Sequence, residues 1–258
     1  MEPATSQGNS TAIPIAIVAG FAMIALAIYL TSGRSTSSDV PELQPVATDS
    51  GVVQPGEVEP VDASDYILGN PNAEILIVEY SDYDCAFCKD FHSTLHQIMD
   101  EYGVTGRVAW VYRQFPIGQL HPNSPKISEA ALCVGEIGGN NAFWSFTDQI
   151  FDGRDIEELT NVTKLPEYAV TAGVNKDEYI RCMDEGRQKA AVDQSVEVGF
   201  NLGIRGTPYT VLMVGNDQAT LTGAESYETL KGIIENLLSQ LNGTFDPATA
   251  NTDGTTAQ

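Results

Sequence analysis

Residues 75–88, with the sequence ILIVEYSDYDCAFC, join a run of apolar residues to two cysteines that are separated by two positions. The run 75–78 predicts a buried strand, and residues 87–102 have the apolar spacing of an amphipathic helix. Cys85 and Cys88 therefore stand where a strand turns into the start of a helix. Cysteines with this spacing serve redox chemistry or bind metals, and the strand–turn–helix context favours redox chemistry.

A second motif, Arg205-Gly206-Thr207-Pro208, comes directly before the apolar stretch 209–212. Together with residues 79–88 it resembles the DsbA-like branch of the thioredoxin superfamily, over roughly residues 66–240. The resemblance implies that Pro208 is a cis-proline packed against the redox disulfide. It also implies that Thr207 offers backbone groups to an extended substrate segment. A trans turn proline is the alternative at position 208.

The resemblance implies separate roles for the two cysteines. Cys85 is expected at a helix N-terminus, where free backbone N–H groups and the helix dipole favour a thiolate, so it is the predicted nucleophile and leaving group. Cys88, one turn further, is predicted to resolve mixed disulfides, with a static disulfide as the alternative. The family places an acidic group beneath the resolving thiol, which implies a buried Glu79 that exchanges protons with Cys88. The alternative is a Glu79 that faces water.

The residues between the cysteines are expected to tune the redox potential. Ala86 and Phe87 supply no cation, whereas strongly oxidising DsbA relatives carry Pro-His there. With Asp84 also beside the thiol, we expect the pKa of Cys85 to be higher than in those relatives and the disulfide to be less oxidising.

Cys133 and Cys182 complete the set of four cysteines. Four cysteines allow three pairings, and only the pairing of 85 with 88 and 133 with 182 leaves the redox pair free. We predict a structural bridge between Cys133 and Cys182 that closes a loop of about fifty residues and stabilises the fold by roughly 4 kcal/mol. Two buried free thiols are the alternative.

His92 and His96 follow Cys88 at helical spacing, so Cys85, Cys88, His92 and His96 form a conceivable metal set. A continuous helix spreads residues 88–96 over about 12 Å, too far for one tetrahedral ion. Neither a metal nor a cofactor is therefore predicted. His121 matches a position where relatives often have histidine, and it is given no role.

The remaining pattern predicts an α/β chain with a helical insertion. Residues 74–80 and 107–113 read as strands that flank the cysteine helix, which gives a right-handed βαβ unit. Helical patterns follow at 126–135, 142–151, 165–172, 176–185 and 190–202. A hairpin at 209–214 and 218–221 around residues 215–217 precedes a last helix at 227–241. The order resembles a thioredoxin fold interrupted by helices at about 122–203, all within a domain at 65–241.

The two ends of the chain are predicted to lie outside this domain. Residues 12–30 carry no charge over nineteen positions and predict a transmembrane anchor, preceded by a polar tail at 1–11. A cleaved signal peptide is the alternative, although no Lys or Arg precedes the segment. Residues 31–64 and 242–258 have the composition of disordered segments. Arg34 alone favours a cytoplasmic C-terminal side, but the cysteine arrangement favours an oxidising compartment, so the domain is predicted outside the cytoplasm.

Composition excludes one class of partner. The net charge is −22, and Arg34 is the only base before Lys89. A basic face that neutralises phosphates is therefore absent from the pattern, which argues against nucleic-acid binding.

These observations predict a membrane-tethered, extracytoplasmic thiol:disulfide oxidoreductase that introduces disulfides into exported proteins through Cys85 and Cys88. It requires no cofactor. Its expected partners are reduced exported proteins, the lipid bilayer through residues 12–30 and, by resemblance, a membrane redox partner that reoxidises the site. The alternatives are a reductase or isomerase with the same site, or a non-catalytic substrate- or metal-binding module.

Overall fold

The computed structural model describes residues 56–242, which form a five-stranded sheet with helices around it. The strands are β1 (Tyr66–Gly69), β2 (Ile75–Ser81), β3 (Val108–Gln114), β4 (Tyr209–Val214) and β5 (Asp217–Thr222). The helices are α1 (Ala86–Glu101), α2 (Ser124–Asp152), α3 (Leu165–Thr171), α4 (Lys176–Asp184), α5 (Lys189–Asn201) and α6 (Tyr227–Asn242). Short 3-10 turns lie at Gly103–Thr105 and Val162–Lys164.

The predicted anchor at 12–30, the tail at 1–11, most of the segment 31–64 and residues 243–258 lie outside the described range. Within residues 56–242, none of the helices has the length and apolar character needed to cross a bilayer.

β2 lies at the centre of the sheet, whose order is β1-β3-β2-β4-β5. It pairs in parallel with β3 and antiparallel with β4, so the predicted unit of strand, cysteine helix and strand has its expected parallel pairing. Side chains alternate along a strand. Ile75 and Ile77 pack on one face of β2, and Val78 and Tyr80 pack on the other. Because both faces are covered, the strand reads as a continuous apolar run.

α1 packs on the face of the sheet that carries Ile75 and Ile77. Its buried residues recur at the three- and four-residue spacing of one helical face: they are Cys88, Phe91, His92, Leu95, Ile98 and Met99. This packing fixes the start of α1, and therefore both cysteines, at the carboxyl end of β2.

The segment between β3 and β4 contains α2 to α5, as the helical pattern predicts. The patterns at 126–135 and 142–151 are joined in α2, whose helical path breaks at Gly139 with φ of 75°. A residue with a side chain rarely adopts this conformation, so the glycine permits the change of direction between the two halves.

β1 was not predicted from the sequence, and it pairs antiparallel with β3 at the edge of the sheet. Its four residues are too few to show a strand period, so tertiary pairing forms it. The hairpin has the predicted position, although β5 begins at Asp217, one residue earlier than expected. The turn is therefore Gly215-Asn216, and the positive φ of Gly215 suits the first central position of a two-residue hairpin turn.

Candidate active site

Cys85 and Cys88 lie at the start of α1, directly after the central strand. Cys85 is the N-cap residue of the helix, and both cysteines are free thiols in the structure. Cys85 keeps 6% of its surface exposed and Cys88 keeps none. Of the two residues, only Cys85 therefore has any surface in contact with solvent.

The loop before β4 covers the other side of Cys85. The Thr207–Pro208 peptide bond is cis, and Pro208 is buried. The Cys85 sulfur lies 3.4 Å from the carbonyl oxygen of Thr207. The two sequence motifs, which are more than a hundred residues apart in the chain, thus meet at one sulfur atom.

The pKa values of the two thiols are shifted in opposite directions. A hydrogen bond from Cys88 and the backbone N–H groups of Phe87 and Cys88 lower the pKa of Cys85 to about 6 from an ordinary value of 9.0. Burial raises the pKa of Cys88 well above that value, and the hydrogen bond and negative charge of Cys85 raise it further. At neutral pH, Cys85 is therefore mainly a thiolate and Cys88 a thiol, which is the arrangement that a nucleophile and a shielded resolving cysteine require.

Glu79 is fully buried beneath the cysteines, on the face of β2 that α1 covers. Its Oε2 atom accepts a hydrogen bond of 3.0 Å from Nε1 of Trp110. Burial raises the pKa of Glu79 to about 7, and the negative charge on Cys85 adds to the effect. The carboxyl group can therefore gain or lose a proton close to neutral pH.

Asp82 organises the turn between β2 and α1. Its carboxylate accepts hydrogen bonds from the backbone N–H groups of Asp84 at 2.9 Å and Ile117 at 2.7 Å. The hydroxyl of Ser124 also donates to it, and Nδ1 of His121 lies 2.9 Å from its second oxygen. The structure thus gives His121 a contact with the turn that the sequence did not predict.

Arg154 places a positive charge beside the cysteines, which Ala86 and Phe87 between them do not supply. It is buried at the end of α2 and donates hydrogen bonds of 2.9 Å to the carbonyl oxygens of Tyr83 and Cys85. The same guanidinium binds carbonyl oxygens of the following loop, including that of Glu158. The backbone N–H of Thr160 in this loop donates a hydrogen bond of 2.7 Å to Oδ1 of Asp84. The helical insertion therefore supplies both a positive charge and backbone support to the turn.

Cys133 and Cys182 form a disulfide between α2 and α4, with both residues buried. The bridge lies within the insertion. The thiols at 85 and 88 take no part in it.

His92 and His96 lie on α1 but do not turn toward the cysteines. Their Nε2 atoms approach a carboxylate oxygen of Asp148 instead. Among residues 56–242, this trio is the group of histidine, cysteine and acidic side chains with a geometry suited to a metal ion. The four-residue set of Cys85, Cys88, His92 and His96 is not brought together.

Two of these groups were missed in the sequence for the same reason. Arg154 and Asp148 belong to the insertion, and no local pattern around them shows which element they reach. Asp82 lies within the cysteine motif, but its contacts with residues 117, 121 and 124 depend on the path of a distant loop, which the sequence does not show.

The geometry agrees with comparisons to known proteins. The family model described as Thioredoxin matches residues 62–236, so the chain belongs to that family. The fold is similar to that of alpha-DsbA1 from Wolbachia pipientis, with a TM-score of 0.60, 22% identity, and coverage of 70% of this chain and 94% of that one. The predicted DsbA-like form of the thioredoxin fold, with its helical insertion, is thereby confirmed.

The sequence relatives include two kinds of protein. A putative protein-disulfide oxidoreductase of Rickettsia bellii is 29% identical over 130 residues, which is 49% of this chain and 48% of that protein. The Na(+)/H(+) antiporter NhaA 1 of Mycolicibacterium gilvum is 29% identical over 126 residues, or 47% of this chain. This chain matches only 19% of the length of the antiporter and about half of the Rickettsia protein.

Proposed function

We propose that this protein is a thiol:disulfide oxidoreductase that oxidises substrate thiols through Cys85 and Cys88. The observation that carries the proposal is the pairing of a low-pKa, partly accessible Cys85 with a buried, high-pKa Cys88 at one helix start. The loop before β4, whose Thr207 carbonyl oxygen lies 3.4 Å from the Cys85 sulfur, and the family membership support it.

The pKa values of Cys85 and Cys88 determine the order of the exchange steps. With Cys85 and Cys88 joined as a disulfide, a substrate thiolate attacks the Cys85 sulfur, and the sulfur–sulfur bond to Cys88 breaks. Cys88 leaves as a thiolate and takes up a proton, for which Glu79 with its pKa of about 7 is a suitable source. A second substrate thiolate then attacks the substrate sulfur and expels Cys85 as a stable thiolate. The products are a substrate disulfide and the reduced enzyme.

The direction of transfer rests on the stability of the Cys85 thiolate. A disulfide is more oxidising when its reduced form is stabilised, and a low thiol pKa is one source of that stability. The pKa of Cys85 is lowered from that of an ordinary cysteine, as are those of the corresponding cysteines of thioredoxin and DsbA. We therefore infer a reduction potential between about −270 and −120 mV, the values of those two proteins.

The surface around the site suits an unfolded protein substrate. Phe87, next to the cysteines, is 66% exposed, and the Thr207 carbonyl lies beside the reactive sulfur. An extended segment can pair with backbone groups of the loop while an apolar side chain packs on Phe87. Reduced exported proteins are the proposed substrates.

The cellular setting remains the one that the sequence predicts. A domain at 65–241 with its insertion at about 122–203, tethered by an anchor at 12–30 through residues 31–64, would act outside the cytoplasm. The buried Cys133–Cys182 disulfide supports an oxidising compartment. A membrane redox partner that reoxidises Cys85 and Cys88 completes the proposed cycle.

The test is equilibration of the protein with glutathione buffers of known potential, followed by alkylation and mass analysis of Cys85 and Cys88. Oxidised protein is then mixed with a peptide that has two thiols. Cys88→Ser is the control, because it cannot form the Cys85–Cys88 disulfide and so cannot oxidise the peptide. We expect a potential within the stated interval and one peptide disulfide per protein molecule.

Two outcomes would contradict the proposal. A potential below about −270 mV makes a reductase the better assignment. Failure of the oxidised protein to exchange with any thiol at neutral pH favours a non-catalytic binding module.

A further inference from the structure

A histidine and aspartate cluster lies apart from the redox sulfurs, between α1 and α2. The Nε2 atoms of His92 and His96 each lie 2.9 Å from the same Oδ1 atom of Asp148 and 3.1 Å from each other. The thiol chemistry proposed above uses none of these residues, so the cluster needs a separate explanation.

The three atoms form a triangle close to the face of a metal tetrahedron. An ion with ligand bonds of about 2.0–2.1 Å holds its ligand atoms roughly 3.3 Å apart. The observed edges of 2.9, 2.9 and 3.1 Å would each have to lengthen by about 0.2–0.4 Å. Two histidines one helical turn apart on one helix face are a common way to hold zinc.

Hydrogen bonds among the three atoms explain their arrangement less completely than a bound cation does. Each imidazole Nε2 carries at most one proton, and that proton points along one direction. Two N–H groups therefore satisfy at most two of the three edges, and the remaining edge holds two atoms together without a proton between them. A cation at the centre interacts with a lone pair of each atom.

The protein scaffold holds the cluster in place. The His92 side chain is 5% exposed and packs against the rings of Trp110 and Phe151, with centroid distances of 5.0 and 4.5 Å. His96 packs edge-on against Trp110 at 5.4 Å. Such packing orients ligands before an ion arrives.

The cluster is also open to solvent on one side. The side chains of His96 and Asp148 are 36% and 38% exposed, and Asp148 lines an open cleft together with Trp144 and Asp152. An ion has a path to the cluster, and a water molecule from the cleft can complete a fourth position.

We propose that His92, His96 and Asp148 bind one zinc ion, with water as the fourth ligand. Two imidazoles and one carboxylate form a donor set that suits zinc. Nδ1 of His92 has no hydrogen-bond partner among the described residues. Because an outer partner of a ligating histidine strengthens binding 10- to 100-fold, we expect micromolar affinity instead of a tighter site. The ion would link α1, which carries the cysteines, to the first helix of the insertion.

The experiment is a zinc titration of the full chain against a chromophoric chelator, at about 0.15 M salt to screen the acidic surface. The protein is oxidised first, so that Cys85 and Cys88 offer no thiolates. We expect one zinc per chain, an affinity at least tenfold weaker in His96→Ala and in Asp148→Asn, and no change in Gln97→Ala. Gln97 is an exposed neighbour on the same helix and is the matched control.

Thermal unfolding provides the second readout, because an ion that binds only the folded state raises the melting temperature. Zinc should raise the melting temperature of the parent protein and of Gln97→Ala but not that of the two site variants. The proposal is overturned by absence of saturable binding. It is equally overturned if His96→Ala and Asp148→Asn bind zinc as tightly as the parent protein.

Discussion

Cys85 and Cys88 are one helical turn apart, and their surroundings drive their acidities in opposite directions. Cys85 at the helix start receives hydrogen bonds that stabilise its thiolate, whereas Cys88 is enclosed by apolar side chains. Glu79 shares this enclosure, and burial raises its pKa to about 7. Three ionisable groups within one small volume thus cannot all carry charge, which is the condition for proton exchange between them.

Glu79→Gln tests this electrostatic balance. Because the pKa of Glu79 is raised in the folded state, the carboxyl contributes stability at low pH that is lost as pH rises through about 7. The neutral amide avoids that loss, so we expect the variant to be more stable than the parent at pH 8 by about 1–3 kcal/mol. The difference should vanish near pH 4, where the carboxyl is protonated in both states. Urea unfolding at the two pH values measures it.

Asp90→Asn is the matched control, since it removes one negative charge from an exposed position of α1. It should change stability by less than about 0.5 kcal/mol at either pH. A Glu79→Gln variant that is no more stable than the parent at pH 8 would show that the buried carboxylate is compensated.

The helical insertion takes part in the site. Arg154 lies two residues after the end of α2 and donates hydrogen bonds to the carbonyl oxygens of Tyr83 and Cys85. In the loop that follows, the backbone N–H of Thr160 donates a hydrogen bond to Asp84. The positive charge of Arg154 lies close enough to Cys85 to favour its thiolate. The insertion is therefore more than a cover for the sheet.

Arg154→Met should raise the pKa of Cys85 above about 6 and lower stability by about 1–3 kcal/mol for each carbonyl left without a donor. Thiolate absorbance during a pH titration of the reduced protein measures the first effect, and urea unfolding the second. Arg181→Met, at an exposed position of α4, is the control and should leave the pKa of Cys85 unchanged. An identical titration curve in Arg154→Met and the parent would show that Arg154 does not stabilise the Cys85 thiolate.

Elements with a clear period were predictable from the sequence, and contacts between distant elements were not. β2, β3 and α1 were found from apolar runs and helical spacing, within one or two residues of their bounds. β1 was missed because its four residues carry no period. The two helical patterns at 126–135 and 142–151 correspond to the two halves of α2, which meet at the non-helical Gly139. Arg154 and Asp148 were missed because their partners depend on how the insertion folds back on α1.

The disulfide between Cys133 and Cys182 joins α2 to α4 within the insertion. Both cysteines are buried, and the bridge spans 49 positions of the chain. Closing a loop of this length lowers the entropy of the unfolded chain, which corresponds to about 4 kcal/mol of stability in the chain-entropy estimate.

Cys133→Ala combined with Cys182→Ala should therefore lower the free energy of unfolding by about 2–4 kcal/mol. The exchange rate of Cys85 with a small disulfide should stay within about twofold, because neither residue touches the redox pair. Urea unfolding and stopped-flow exchange measure the two quantities. Loss of exchange in a variant that is still folded would assign the second pair a direct redox role.

The two cysteines have different roles in the proposed cycle: Cys85 is the nucleophile and leaving group, and Cys88 resolves mixed disulfides. Trapping of substrate proteins on single-cysteine variants tests this assignment most directly, by non-reducing gels of Cys88→Ser and Cys85→Ser expressed in parallel. Cys88→Ser should accumulate mixed disulfides on Cys85, which is partly accessible and has the lowered pKa. Cys85→Ser should accumulate none, because Cys88 is fully buried and its pKa is raised. Equal trapping by both variants, or trapping on Cys133, would contradict the account.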